Sequence, residues 1–218
     1  MRKLRSPALA FIGLFLLSTN VAATAKTSST IHANGLNNKV LNLGVQAYNC
    51  AASHGQVKNP ILSIVDYSLP STKARLWVID MKRHKVLYHL FVAHGRNSGK
   101  LYANTFSNEP GSLASSLGAF IANETYRGQH GYSLYLDGLE PGVNDKARAR
   151  HIIVHGAPYV NKQFALQNNY MGRSWGCLAL NPKKVSKVID TIKGGSLVFA
   201  YARGEERDPY LNQCSVRR

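Results

Sequence analysis

Apolar residues in the segment 36–52 recur at Leu36, Val40, Leu43, Ala47 and Cys50, a spacing that predicts one amphipathic helix running out at Gly55. Beyond it the pattern turns strand-like. Residues 61–67, 75–81 and 85–93 are rich in Val, Ile, Leu and aromatics, with breaks at Pro70 and at Lys82-Arg83-His84. Residues 117–123, 132–136 and 151–155 continue the series, separated by turn-rich loops such as Asn108-Glu109-Pro110-Gly111. Two more helices are expected over 160–168 and 182–193. Asn181 is placed to cap the second, with Pro182 at its first position. Gly194-Gly195 ends it, residues 196–202 form a last buried strand, and the tail beyond Arg203 is polar. Many short strands with few helices predict a single β-rich α+β domain.

The first 25 residues stand apart. Arg2, Lys3 and Arg5 precede a short apolar block, and Ala23-Thr24-Ala25 fits the small-x-small rule for signal-peptide cleavage. The block is about half the ~20 residues that a membrane-spanning helix needs. A polar linker is expected over 26–35, a catalytic domain over 36–203 and a tail over 204–218. Of the formal charge of +16 the leader carries three basic residues, leaving +13 on the exported chain. Such an excess suits an anionic setting, and export points to the periplasm or cell wall and its anionic polymers. The basic residues form no stripe interleaved with aromatics, so nucleic acid is not expected as a partner.

Three cysteines in an exported chain leave an odd thiol. Cys50 and Cys214, near opposite ends of the domain, are candidates for a disulfide, which leaves Cys177 alone. A free thiol in an oxidising compartment suggests chemistry. Upstream, His155-Gly156 ends an apolar run that begins at His151. On a strand those two histidines would lie ~13 Å apart, too far to share a metal, so neither metal nor cofactor is expected. Histidine is the usual base for a cysteine nucleophile. Gly176, directly before Cys177, permits a tight turn in which both amide N–H groups form an oxyanion hole, with Ser174 supporting the turn or binding substrate. Cys177 and His155 are thus the candidate nucleophile and base.

His155-Gly156, followed after 17 residues by Ser174-Trp175-Gly176-Cys177, resembles the signature of the YkuD-type L,D-transpeptidases, in the Ser-Trp-Gly-Cys branch of the murein L,D-transpeptidase catalytic domain. The resemblance extends to Val92-Ala93-His94-Gly95, Phe106-Ser107-Asn108, Gly111-Ser112, Ser116-Leu117-Gly118, Glu124-Thr125-Tyr126, Gly131-Tyr132-Ser133-Leu134 and Leu136-Asp137-Gly138-Leu139. It implies a β-sandwich-type domain in which Cys177 attacks the stem-peptide carbonyl of peptidoglycan, at the L-centre of the third residue, and releases D-Ala. Acyl transfer to an amine then gives a 3–3 crosslink, and transfer to water gives hydrolysis.

Two positions depart from the wider family, which commonly has histidine where Trp175 stands and arginine where Ala179 stands. Without that arginine, Arg173 and Arg127 are candidates for the substrate carboxylate. Trp175, His94 and Gly156 are further candidates for lining the substrate site. Two other readings stay open: a peptidoglycan carboxypeptidase or endopeptidase using the same Cys-His pair, and a non-catalytic, basic wall-binding protein.

Overall fold

The computed structural model describes residues 30–204 and 209–213. Helix α1 (Asn38–Ser53) starts where the Asn37 side chain accepts the Lys39 N–H at 2.8 Å. Its inward stripe of Val40, Leu41, Gly44, Ala47 and Ala51 lies on the sheet. Gly44 sets the approach, since a methyl group there would come within 2.6 Å of Ile64 Cδ1.

Eight strands form one hydrogen-bonded sheet: β1 (Ile61–Asp66), β2 (Leu76–Asp80), β3 (Lys85–Leu90), β4 (Gly118–Gly128), β5 (Gly131–Gly138), β6 (Ile153–Gly156), β7 (Leu178–Leu180) and β8 (Ser196–Tyr201). Their order is β3-β2-β1-β8-β4-β5-β6-β7. Only β1–β8 and β6–β7 are parallel. The sheet curls until its ends meet, because Ala93, just after β3, donates to the Ala179 carbonyl of β7 at 3.0 Å. The two layers expected of a sandwich are therefore supplied by one bent sheet.

Curling creates two main apolar interiors. Inside, Val154, Leu178 and Leu180 from one end meet Leu76 and Val78 from the other. Helix α3 (Pro182–Ile192) closes this space with Val185, Val188, Ile189 and Ile192, one face of the helix. Outside, α1 covers Leu62, Ile64, Trp77 and Phe199. Strands β1 and β8 lie between the two and are buried along their whole length.

The helices fall where the periodicity puts them, with Asn181 and Pro182 opening α3 as expected; α2 spans Lys162–Asn168. Four features differ. Strand β7 was not expected. A short helix α4 (Pro209–Gln213) packs on α1. His151 lies outside the strand expected over 151–155, in a left-handed conformation (φ +54°) at the end of a turn. Part of the expected linker is docked: Ile31 and Ala33 pack on the outer core, and the Asn34 carbonyl accepts from the Trp77 indole at 3.1 Å. The signal peptide and Cys214 lie outside the described residues. Among the described residues no helix is long and apolar enough to cross a membrane.

Candidate active site

The parallel β6–β7 pair builds the site. Register pairs Val154 with Leu178 and His155 with Ala179, so Cys177, one residue before β7, falls beside Ile153. Side chains alternate along a strand, so Val154 and Leu178 enter the core while Ile153, His155 and Cys177 share the other face. His155 and Cys177 are then diagonal neighbours with Cα atoms about 8 Å apart, from the ordinary strand spacing and rise. Both open onto a cavity of about 540 Å³.

Each atom of the pair has a defined state. His155 is 3% exposed, and its Nδ1 donates to the Gly156 carbonyl at 3.0 Å. That bond assigns the proton to Nδ1 and leaves Nε2 with the lone pair of a base. Burial lowers the basicity of His155 from the ordinary histidine value, opposed by the Gly156 bond and reinforced by His130. The Cys177 thiol is pushed up by burial, against the backbone N–H of Ile153, the charge of Arg150 and its own N–H. At rest the thiol donates to the His151 carbonyl at 3.3 Å. Near neutrality the pair is thus imidazole and thiol, and the proton moves to His155 only as the sulfur attacks.

The left-handed backbone at His151 is part of this arrangement, since its carbonyl is the one that meets the sulfur. Gly176 is the second unusual position, at φ +121°. A methyl group there would lie 2.8 Å from the Ala114 carbonyl oxygen and 2.9 Å from Ile152 Cδ1. Gly176→Ala is expected to cost on the order of 1–3 kcal/mol and to slow iodoacetamide labelling of Cys177 at least about tenfold. A melting curve and a labelling time course check this, and wild-type values in both would contradict it.

The expectation for the Gly176 amide needs correcting. Its N–H donates to Ser174 Oγ at 3.2 Å, and that hydroxyl donates to the Cys177 carbonyl at 2.7 Å. Ser174 therefore ties the turn together, and the Gly176 N–H is occupied rather than presented to an oxyanion. His94 is also not where the substrate expectation put it. It is fully buried behind the turn, where Nδ1 accepts from Arg75 at 2.6 Å, Nε2 donates to the Gly99 carbonyl at 3.2 Å, and its carbonyl takes the Ser174 N–H at 2.9 Å. Gly156 lies against α3, where an added methyl would meet Val185 at 3.1 Å, so it serves packing rather than the cavity wall.

Trp175 and Arg173 do line the cavity, and Trp175 is 68% exposed, so its indole is not a core group. Arg173 Nη1 donates to the Arg96 and Gly99 carbonyls at 3.1 and 3.2 Å, and its guanidinium lies over Tyr170. Arg127 instead covers the ring of Tyr132, away from the cavity. Ala179 is wholly buried between His155 and Ala93, in a slot without room for an arginine.

Arg150, a wall residue not foreseen in the sequence, clamps the loop that backs the thiol. It donates to Ser112 Oγ at 3.0 Å and the Ala114 carbonyl at 2.8 Å, and also to the Ser107 carbonyl and Ser116 Oγ. Ser115 completes the link, accepting from the Gly95 N–H at 3.0 Å and donating to the Gly176 carbonyl at 3.1 Å. The serines in the resembling motifs were visible in the sequence, but their partner was not. His130 and Tyr126 of the β4–β5 hairpin were also missed as cavity walls. Among the described residues no acidic side chain lines the cavity. Among the described residues, no group of three His, Cys, Asp or Glu side chains is placed to hold a metal ion. Cys177 is a free thiol, and Cys50 is buried on α1.

No curated protein matches the chain. Among solved structures it is similar to an L,D-transpeptidase from Mycobacterium smegmatis (15% identity, TM-score 0.40, covering 66% of this chain and 59% of that one). It is also similar to L,D-transpeptidase 1 of Mycobacterium tuberculosis (13%, 0.38, 66% and 62%) and to L,D-transpeptidase 3 of that organism in complex with a faropenem-derived adduct (12%, 0.42, 66% and 60%). The chain spans about three fifths of the length of those solved chains. The profile of one family, described as the L,D-transpeptidase catalytic domain, matches residues 32–201, nearly all of the described domain. The chain belongs to the L,D-transpeptidase catalytic-domain family.

Proposed function

We propose that the chain is exported and that its domain is a cysteine transpeptidase acting on peptidoglycan stem peptides. The observation that carries this reading is the placement of His155 and Cys177 side by side on the one face of β6–β7 that opens onto a cavity. The donor is a tetrapeptide stem. Cys177 Sγ attacks the carbonyl at the L-centre of the third residue while His155 Nε2 takes the thiol proton. When the tetrahedral intermediate collapses, the bond to the D-Ala nitrogen breaks and His155 returns the proton to that leaving amine. An amine of a second stem then attacks the thioester, His155 takes its proton, and Cys177 leaves as thiol. The Cys177 N–H is the amide of the turn left for the oxyanion, since Ser174 holds that of Gly176.

A cavity lined by Arg150 and Arg173, with no carboxylate among the described residues, suits a substrate bearing carboxylates. Arg173 keeps donors beyond the two bonds of Nη1 and takes the place, at the cavity rim, of the arginine that the Ala179 slot excludes. Arg150 acts on the thiolate through its charge while its donors hold the loop. A Cys50–Cys214 disulfide would pin the end of the chain near α1. Muropeptide analysis of cells carrying wild-type or Cys177→Ala protein tests the function. Tripeptide stems and 3–3 crosslinks are expected to depend on Cys177; identical profiles refute the assignment, and a change in tripeptide alone moves it to hydrolysis.

A further inference from the structure

Strands β4 and β5 form a long hairpin whose last paired residues, Gly128 and Gly131, leave only Gln129 and His130 in the turn. This tip does not project into solvent alone. The His130 ring stacks on His155 with centroids 4.4 Å apart and planes 29° from parallel, and both rings line the cavity. The exposed imidazole thus lies on the buried one that the proposed function uses as base.

We propose that His130 is a positioning residue for that base: its stack on His155 holds the imidazole edge toward Cys177, and its charge state sets how readily His155 takes a proton. The inference rests on His155 being the base. The stack adds a restraint on the cavity side of the His155 ring, where the hydrogen bond at Nδ1 alone would let it tilt about that bond. A neutral imidazole on the face of an imidazolium stabilises it through the ring electrons, whereas a protonated one repels it. A positive charge on His130 therefore lowers the basicity of His155.

Other ionisable groups around the cavity are Tyr126 on the hairpin, Arg150 and His151 ahead of β6, Tyr159 after it, and Arg173 and Cys177 on the thiol turn. None of them makes a ring contact with His155 among the described residues. Their charges are present in wild type and variants alike, so a change on altering position 130 belongs to the stack.

The test uses the full exported chain with His130→Phe, which keeps an aromatic face and removes the charge, and His130→Ala, which removes both. The tip is an exposed two-residue turn, so both variants should fold, and matching melting curves verify it. The NMR titration midpoint of His155 is expected to rise in His130→Phe. Cys177 labelling at pH 7 is expected to slow about two- to tenfold in His130→Ala, the usual worth of an aromatic pair, and to recover within about twofold in His130→Phe. An unchanged His155 midpoint in both variants overturns the electrostatic role. Equal labelling in alanine variant and wild type, or a phenylalanine variant as slow as alanine, overturns the positioning role. The titration needs no substrate, so it fails separately from the assignment of His155 as base, which is tested by His155→Ala.

Discussion

His155→Ala should lower turnover of a tetrapeptide stem by about 10²–10⁴-fold, the usual contribution of a positioned general base, while leaving the fold and the Cys177 thiol in place. The reason is the protonation state of the pair. Burial raises the thiol, so at neutral pH little thiolate forms unaided. Burial lowers His155, so its Nε2 lone pair is available at neutral pH and is lost only as pH falls below the ordinary histidine range. Wild-type Cys177 labelling should accordingly persist below pH 6.5 and fall when His155 finally protonates. The alanine variant should lack that plateau and rise only as alkali ionises the thiol. Rate–pH profiles of iodoacetamide labelling check both statements, and superimposable profiles would remove His155 from the mechanism.

The largest expected loss of stability comes from a residue outside the cavity. Arg75 is completely buried, yet it donates to the Leu69 carbonyl at 2.9 Å, to the Val92 carbonyl at 3.2 and 3.3 Å and to His94 Nδ1, with its guanidinium 5.1 Å from the Tyr67 ring centre. Burial brings it down to about 10, still charged at neutral pH. Arg75→Ala empties this volume and leaves three buried acceptors unpaired, a cost of about 3–5 kcal/mol, or roughly 10 °C in melting temperature for a domain of this size.

The same contact predicts how stability varies with pH. Burial first, then the Arg75 charge, depress His94 to about 4. Unfolded His94 takes up its proton near 6.5 and the folded one does not, so the unfolded chain binds more protons between those values. Stability is complete above pH 6.5 and is lost as pH falls toward 4, by roughly 3 kcal/mol from this group. Urea midpoints at pH 7 and 4.5 measure it. In His94→Gln that share of the pH dependence should vanish; an equally steep fall in the variant would assign it to other groups.

Much of the fold was legible because local physics and tertiary burial agree there. The 3.6-residue stripe of α3 and its Asn181-Pro182 start, or the continuous apolar run of β1, need no partner to be recognised. Strand β7 has only three residues and follows a glycine turn, too short for a period to show, although it fixes Cys177 against β6. His151 fails for the opposite reason. Its β-branched neighbours extend the apolar run, while the left-handed backbone that ends the preceding turn is imposed by packing.

At the site, residue chemistry pointed to Cys177 and His155, because an unpaired thiol and an upstream histidine have few joint uses. What the sequence does not carry is which hydrogen bond each group makes. Arg150 looks like one basic residue among 27, until its donors are seen to join segments that lie more than 30 residues apart. Gly176 and Ser174 were recognised as a turn, but the capture of the Gly176 N–H by the hydroxyl is a matter of angles. His130 carried no signal, being a polar residue in a hairpin turn.

The proposed mechanism turns on one bond, the thioester between Cys177 and the stem peptide. Purified protein should be incubated with a disaccharide tetrapeptide stem, and both the released D-Ala and the intact protein mass should be followed. D-Ala release is expected with a transient mass increase that maps to Cys177, and neither event in Cys177→Ala. D-Ala release that survives in Cys177→Ala, or an acyl group carried elsewhere on the chain, would contradict it.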